Sequence, residues 1–311
     1  MKKYIFIFLV IAFMEAPSSF SQEFPKPLKG IEVKGSIEHR TRYEYSYSIF
    51  NPASNDGGIK SMDIFLGTDS TKDQRLSTEG YSHCSLYMKA ISEDYLEKDF
   101  PVPVGSRAPD KWSCGYGKLP ESSEISYGWG ALDQSVIVQA GQTKKGFQLT
   151  SEGLPGIRDV RVEPELNLAF GPDGEEPDMS LFSKVIWTGK TIGPKAPPKN
   201  FDPTKFIQYI ESLLDESSKL GWVKNRGTEN SLNKQLIAAE RQIGKNGNHP
   251  TKKMMEAFLK EVKNLKKKHL SSEAYALLYY NTQYFLDHLE VEKDHKDCGS
   301  HKGHNKGHKH P

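Results

Sequence analysis

The sequence predicts a multi-domain chain with β-structure first and α-structure second. The expected parts are an immunoglobulin-like β-sandwich, a small antiparallel helical bundle and a disordered His-rich tail. Three observations predict this fold class. Apolar and polar residues alternate from about Ile31 to Thr191, four prolines cluster between Gly193 and Pro203, and apolar residues then recur at helical spacing. We therefore divide the chain into a signal peptide (1–21), a β-sandwich (30–192), a Pro-rich linker (193–203), a helical bundle (204–290) and a tail (291–311).

The β-module is predicted from short segments of period-two alternation. In the clearest of them Tyr43, Tyr45, Tyr47 and Ile49 alternate with polar residues, so we expect a strand whose aromatic face is buried. The stretch 100–120 is rich in proline and glycine, and we expect a long irregular loop there, held by Cys114. Further strands are predicted at residues 59–66, 83–88, 125–129, 135–138, 146–150 and 157–163.

Four amphipathic helices are predicted after the linker. Asp202 and Pro203 form a cap and first-turn pair, and Ser271 is expected to cap the last helix. The second helix should end near Gly244 and Gly247, and Pro250 should open the third. The inward faces are expected to contain Phe206, Ile210, Leu213, Leu214 and Ser217; Leu232, Leu236, Ala239 and Ile243; Met254 or Met255, Phe258, Val262 and Leu265; and Ala274, Leu277, Leu278, Phe285 and Leu289.

The bundle also resembles a known family. The residues that carry the resemblance are Gly221, Asn225, Gly227, Ser231, Leu232, Leu236, Ala238, Ala239, Gly247, Ala257, Phe258, Val262, Leu277 and Leu278. In this order they resemble the FIMAH-type helical domain, found near the C-termini of bacterial secreted and surface proteins, over about 202–289. The resemblance implies location and modularity, and it implies no catalytic residue. The sequence departs from the family pattern at the lysines of 266–268 and at Tyr275, Tyr279 and Tyr280.

A second, shorter resemblance lies in the β-module. The string GFQLTSEGLPGI, at 146–157, is similar to a strand and turn of uncharacterised exported bacterial β-domains. It implies the same exported context as the helical bundle.

The N-terminus has the features of a secretory signal. Lys2 and Lys3 precede ten apolar residues (4–13), and Ser19 and Ser21 are small residues at the cleavage-defining positions, so cleavage is expected after Ser21. The apolar run is shorter than the roughly 20 residues that a spanning helix needs. We therefore expect no membrane span after cleavage, and a secreted or periplasmic/extracellular location.

Export changes how the three cysteines are interpreted, because an oxidising compartment permits disulfides. A Cys84–Cys114 disulfide would close a loop of about 30 residues, for which the chain-entropy estimate of stabilisation is on the order of 3–4 kcal/mol. The alternative is two buried free thiols. Cys298 lies among histidines near the C-terminus, where a role as a ligand or as an intermolecular thiol is more plausible than one in a core.

The C-terminal tail concentrates residues that bind metals. Neutral imidazole and thiolate are ligands for zinc, nickel and copper, and a flexible chain can wrap several of them around one ion. We expect divalent-metal binding there, while a tag-like stretch and a chelating tail without a biological role remain alternatives. The candidate ligands are His295, Cys298, His301, His304, His308 and His310.

Catalytic signals are few. The chain has no nucleophile elbow, no His-Glu-x-x-His, no phosphate loop and no dinucleotide fingerprint. In the β-module His39 and His83 are expected to be ordinary strand residues. His249 lies at a predicted helix entrance, and His269 and His288 lie near predicted helix ends, where a capping or dipole role is expected. The chain has 42 Lys and Arg against 40 Asp and Glu, a net charge of +2, so no nucleic-acid partner is expected.

Seven lysines accompany the third predicted helix. A solvated helix face explains them most simply, and a surface for acidic polysaccharide, lipid headgroups or nucleic acid is the alternative. Exposed aromatic rings beside them would favour a saccharide or single-strand reader. The lysines are Lys252, Lys253, Lys260, Lys263, Lys266, Lys267 and Lys268.

Three functions are consistent with these observations. The first is an exported, non-enzymatic bacterial protein of binding or scaffold type whose tail captures zinc, nickel or copper. The second is an extracellular adhesion or glycan-binding module, with an extracellular protein or glycan as partner and an incidental tail. The third is a hydrolase on the β-module, which would need a deep pocket that brings acids to His39 or His83.

Overall fold

The computed structural model describes residues 26–67, 106–118, 125–166, 182–246, 248–266 and 268–289. Within them, antiparallel sheets precede helices, so the predicted order of β-structure and α-structure is confirmed. The immunoglobulin-like form of the sheets stays a prediction. The predicted signal peptide, the His-rich tail and the strand expected at 83–88 lie outside the described residues.

The described strands form two antiparallel sheets. The smaller sheet has the order β1-β2-β6, and the larger has the order β4-β5-β3-β7-β8. Strand β1 therefore lies at an edge of the smaller sheet. The strands are β1 (Glu32–His39), β2 (Tyr43–Phe50), β3 (Ile59–Gly67), β4 (Trp112–Lys118), β5 (Ile125–Ala131), β6 (Thr143–Ser151), β7 (Leu154–Pro164) and β8 (Trp187–Lys195).

The two sheets pack face to face around one aromatic-rich core. Trp129 of the larger sheet lies 5.6 Å from Tyr47 and 5.8 Å from Phe147 of the smaller sheet, measured between ring centroids. Trp112 contacts the same Phe147 edge-on at 5.1 Å. On β2, Tyr45, Tyr47 and Ile49 are buried as predicted, whereas Tyr43, expected on the same buried face, is only partly buried. The alternation of β2 thus places its large rings between the sheets.

The strand predicted at 135–138 is wrong. Residues Gln134–Val136 form a 3-10 turn, because the Asp133 carboxylate caps it by accepting from the Ser135 amide at 2.7 Å. Val138 alone keeps a strand-like bridge, to Ile59. A short side chain that bonds its own backbone favours turns over strands, and that local effect outweighs the alternation here.

The long irregular loop predicted over 100–120 is also wrong in its second half. Strand β4 occupies that half and pairs with β5 in continuous register, with Trp112 opposite Ala131 and Cys114 opposite Trp129. Trp112 and Cys114 are both buried. Ser113 separates the two, so Trp112 and Cys114 lie on the same face of the strand, toward the core, and the glycines of the strand do not prevent pairing.

The helices begin and end close to their predicted positions. The Asp202 carboxylate accepts from the Lys205 amide at 3.1 Å, and the Ser271 hydroxyl accepts from the Ala274 amide at 3.2 Å, so both predicted caps are confirmed. The helices are α1 (Phe182–Val185), α2 (Pro203–Lys219), α3 (Arg226–Asn246), α4 (Asn248–Leu265) and α5 (Ser272–His288).

Helices α2 to α5 enclose a second core. The predicted inward residues are buried, except that Ile243 and Leu265 are only partly buried, and Met255 is buried where Met254 is partly so. The apolar stripe at period 3.6 therefore predicts the packing faces well. Strand β8 runs to Lys195, so its last residues fall inside the range predicted as the linker.

Helix α5 joins the bundle to the open edge of β1. The Gly35 amide of β1 donates to the Glu273 carboxylate at 2.7 Å, and the Tyr280 hydroxyl donates to the Ile37 carbonyl at 3.1 Å. The Asn281 side chain donates to the Pro155 carbonyl of β7 at 2.9 Å. These bonds satisfy backbone groups that an uncovered sheet edge would leave open.

Close approach at this joint requires a glycine. A Cβ at position 35 would lie 2.6 Å from Cγ1 of Ile192 on β8, a distance that real Cβ contacts do not show. Ile192 is fully buried and packs with Leu213 of α2 and Leu277 of α5. Gly35 thus lets β1, β8 and two helices meet in one small core.

We predict that Glu273→Ala lowers the free energy of unfolding by roughly 1–3 kcal/mol, because the buried Gly35 amide loses its acceptor. Glu273→Gln retains an acceptor oxygen and should lose less. Urea unfolding of the full mature chain measures both effects. Glu256→Ala, at an exposed position of α4, is the control and should change stability by less than about 0.5 kcal/mol. Equal losses for Glu273→Ala and Glu256→Ala would contradict the assignment.

Candidate binding surface

Five aromatic rings lie in a continuous row across the joint between helices and sheets, and we call this the aromatic row. It consists of Tyr275, Tyr279 and Tyr280 of α5, Tyr43 of β2 and His39 of β1. Taken in that order, the ring centroids of neighbouring members are 5.1, 5.0, 5.5 and 4.4 Å apart. The four tyrosines are half-buried and His39 is exposed. The row therefore offers a partly accessible aromatic surface.

Local structure explains each position in the row. Tyr275 and Tyr279 are four residues apart on α5, so their rings lie one above the other, with planes only 12° apart. Tyr280 is held by its hydrogen bond to the Ile37 carbonyl. Tyr43 and His39 are direct cross-strand partners in the register of β1 and β2. A helix face and a hairpin end thus contribute neighbouring rings.

Two lysines lie over the helical end of the row. Lys266 Nζ is 4.2 Å from the centroid of Tyr275, and Lys263 Nζ is 5.2 Å from the centroid of Tyr279. An ammonium group over a tyrosine face is attracted by the ring quadrupole. Both lysines are exposed, so the row carries localised positive charge at this end.

Burial keeps the phenols of Tyr43, Tyr275 and Tyr280 neutral at physiological pH. Burial raises the pKa of Tyr43 to about 12, with a smaller contribution from Tyr280. Burial, with Tyr279 and Tyr280 nearby, raises the pKa of Tyr275 to about 12 as well. The pKa of Tyr280 is also raised, mainly by burial. Neutral hydroxyls can donate hydrogen bonds and do not repel an anionic ligand.

Two acidic residues lie on the lysine-bearing helix α4. The Glu261 carboxylate accepts from the Ser231 hydroxyl at 2.9 Å and from the Gln235 side chain, so it is bound to α3. Glu256 is exposed. Helix α4 therefore presents mainly positive charge to solvent.

A separate groove of about 280 Å³ lies where residues 196–202 pass between the end of β8 and the start of α2. Lys195 Nζ lies 4.5 Å from the centroid of Tyr209 there, and Asp202 caps α2. No histidine lines the groove, which is enclosed by Leu154, Lys195, Ala196, Pro198, Asn200, Asp202, Lys205, Phe206 and Tyr209, all within the described residues. The groove therefore does not supply the acid-and-histidine pocket that a hydrolase was expected to need.

The predicted metal ligands His295, Cys298, His301, His304, His308 and His310 lie outside the described residues. Their assignment stays a prediction. Across the described ranges, no three His, Cys, Asp or Glu side chains are grouped so that they could hold a metal ion.

The cysteines and the remaining histidines are placed as follows. Cys114 is buried in β4 and accepts from the Tyr127 hydroxyl at 2.9 Å. Cys84 and His83 lie outside the described part of the chain, so the disulfide stays a prediction.

Exposed His249 lies in the first turn of α4. His269 contacts Asn225, and His288 lies in the last turn of α5, where its ring nitrogen contacts the Tyr284 carbonyl.

Sequence reasoning identified the parts of the aromatic row separately. It noted the lysines of 266–268 and the three tyrosines of α5 as departures from the family pattern, and His39 and Tyr43 as strand residues. It did not join them, because the α4–α5 turn and the β1–α5 contact bring them together. The available signal was the i, i+4 pair Tyr275 and Tyr279 next to a lysine cluster.

Comparison with known proteins identifies the helical part. A family model described as the FIMAH domain matches residues 207–287, which confirms the resemblance of the bundle. FIMAH domains are found in bacterial surface and secreted proteins, so the match indicates a bacterial surface-associated protein. No curated protein matches the chain. The resemblance of 146–157 to exported bacterial β-domains is not confirmed and stays a prediction. In the part of the chain that the structure covers, the helices are too short or too polar to cross a membrane.

The raised pKa of Tyr43 predicts a loss of stability at alkaline pH. Because the neutral phenol is favoured in the folded state, its contribution is complete below the unfolded pKa of about 10 and is lost as pH rises through about 12. The wild-type free energy of unfolding should therefore fall more steeply over this interval than that of Tyr43→Phe. Denaturant titrations at increasing pH measure the difference. The titration of the other buried tyrosines is common to both proteins and cancels in the difference. Parallel curves of unfolding free energy against pH would contradict the prediction.

Proposed function

We propose that this chain is an exported, non-enzymatic binding protein of the bacterial surface, whose aromatic row binds an extracellular glycan. The observation that carries the proposal is the row of five contacting rings, four of them half-buried and one exposed. Sugars present apolar C–H faces and hydroxyl groups, which suit tyrosine rings and their neutral hydroxyls. In this proposal the immunoglobulin-like β-module and the FIMAH bundle form one binding unit, because both contribute rings.

Export supports an extracellular ligand. The basic start, the ten apolar residues of 4–13 and the cleavage site after Ser21 suit a secreted or periplasmic/extracellular protein. An oxidising compartment would also allow the Cys84–Cys114 disulfide, which would tie β4 to the segment before it. The FIMAH match agrees with this location.

Binding is a better interpretation of the row than catalysis. Tyr43 and Tyr275 have raised pKa values and stay protonated, which makes them poor bases near neutral pH. His39 is exposed and packs against Tyr43 and Tyr280. A hydrolase would need a water-shielded base with an acid beside it. Asp287 and Glu38 lie close enough to Tyr43 and Tyr280 to raise their pKa values, but the one imidazole of the row, His39, is exposed.

Metal capture by the C-terminal tail is the second candidate function. It is supported by the density of imidazole and thiol side chains between His295 and His310, which suits zinc, nickel or copper. Tail and row need not share a ligand, so the two functions are tested separately.

For the glycan, we predict that Tyr279→Ala weakens binding to the glycans that the wild type retains on a neutral and acidic glycan array. A loss of about tenfold is expected, the effect of removing one aromatic contact of ~1.4 kcal/mol. Tyr284→Ala removes a half-buried tyrosine of the same helix outside the row and is the matched control. A chelator in every sample prevents metal bound by the tail from contributing to the measurement. Equal loss in both variants, or no glycan binding by the wild type, would reject the proposal.

For the tail, we predict that replacing His301, His304, His308 and His310 with Gln abolishes most zinc or nickel uptake by the mature chain. Replacing His39 and His249, both exposed outside the tail, should leave uptake unchanged. Isothermal titration measures the stoichiometry. Uptake should also fall below about pH 6.5, where imidazole is protonated. Unchanged uptake by the tail variant would exclude this function.

A further inference from the structure

The helical end of the aromatic row combines stacked rings with ordered cations. Tyr275 and Tyr279 stack at 5.1 Å, and Lys266 and Lys263 each place an ammonium group within 5.2 Å of one of these centroids. Packing on a ring restricts a lysine to few rotamers and removes part of its hydration. An anionic group of a ligand would then pair with a cation that is already in place.

Positive charge is concentrated around this point and not spread over the chain. Residues 248–268 contain seven lysines and two glutamates, a formal charge of +5, whereas the whole chain carries +2. One of the two glutamates, Glu261, is bound to side chains of α3. The rest of the chain is therefore net negative, and attraction of an anion is local to α4 and the turn after it.

We infer that the aromatic row takes an acidic polysaccharide, with uronate carboxylates or sulfate groups at Lys263 and Lys266 and sugar rings along the tyrosines. This inference rests on the proposed function, and it specifies the charge class of the glycan. The tyrosine hydroxyls beside the lysines add hydrogen-bond donors for the same anionic groups.

A membrane surface fits the same charges less well. Among the described residues, Leu132 is the one large hydrophobic side chain that is exposed, and it follows β5 of the larger sheet, so neither α4 nor α5 carries an exposed large hydrophobic side chain in the part of the chain that the structure describes. Binding to bilayers usually adds apolar side chains that insert between headgroups. A row of half-buried rings is suited instead to a chain of sugar units that extends from α5 toward β1.

The test compares two double variants that lose the same charge from one region of the chain. Lys263→Met with Lys266→Met removes the ring-packed ammonium groups, and Lys253→Met with Lys260→Met removes exposed lysines of α4. The probes are polygalacturonate and heparin as acidic chains and dextran as a neutral one. Isothermal titration or affinity electrophoresis of the full mature chain with chelator measures affinity, and thermal melts establish that each variant is folded.

We expect substitution of Lys263 and Lys266 to weaken binding to an acidic probe by about tenfold. Substitution of the control lysines, Lys253 and Lys260, should weaken it by less than about threefold. Added salt should weaken binding of the acidic probes to the wild type, and it should have a smaller effect on the variant that lacks Lys263 and Lys266. Equal loss in both pairs would overturn the inference, because charge alone would then explain binding.

Two further outcomes separate this inference from the proposed function. Binding to dextran that equals binding to polygalacturonate would overturn the acidic class and leave the glycan function standing. Absence of binding to any array glycan or probe would remove both. Anionic phosphatidylglycerol vesicles and single-stranded DNA are tested as well. If either binds more tightly than the acidic polysaccharides, and the variant that lacks Lys263 and Lys266 loses that binding, the surface belongs to that partner instead.

Discussion

The open edge of β1 is the constraint on which the arrangement of this protein depends. An edge strand exposes N–H and C=O groups that require partners when they are buried. Helix α5 supplies these partners through Glu273 and Tyr280, and Gly35 allows Ile192 of β8 to approach β1 closely. Since the other side of α5 packs into the bundle core through Ala274, Leu278 and Phe285, one helix belongs to both modules. Three rings of the aromatic row lie on the same helix, and the contact of α5 with β1 brings them beside Tyr43 and His39.

The helical half was predictable because its signals are local. Caps depend on one side chain and an amide three residues away, as at Asp202 and Ser271, and inward faces depend on a 3.6-residue period. The sheets were less predictable. At Asp133 a side-chain cap outweighed strand alternation, and in β4 glycines indicated a loop although partner β5 supplied a complete ladder. Strand order depends on contacts far apart in sequence, which periodicity does not report.

The candidate surface shows the same limit more strongly. Tyr275, Tyr279 and the nearby lysines are visible in the sequence, but a lysine on a helix is usually a solvated charge. What distinguishes Lys263 and Lys266 is their distance from two ring centroids, which depends on the turn between α4 and α5. The contribution of His39 and Tyr43 depends on the docking of α5 against β1, across more than two hundred residues of chain. Sequence can name such residues, whereas the fold decides which of them become neighbours.

A surface that crosses two modules links ligand binding to the joint between them. Tyr280 shows this directly, because its hydroxyl bonds the β1 backbone while its ring contacts both Tyr279 and Tyr43. A ligand that contacts rings on both sides binds only the docked arrangement, and mass action then stabilises that arrangement by RT ln(1 + [L]/Kd). The helical bundle therefore contributes both to the closure of the β-module and to the candidate binding surface. It closes a sheet edge, and the side chains that close it also complete the row of rings.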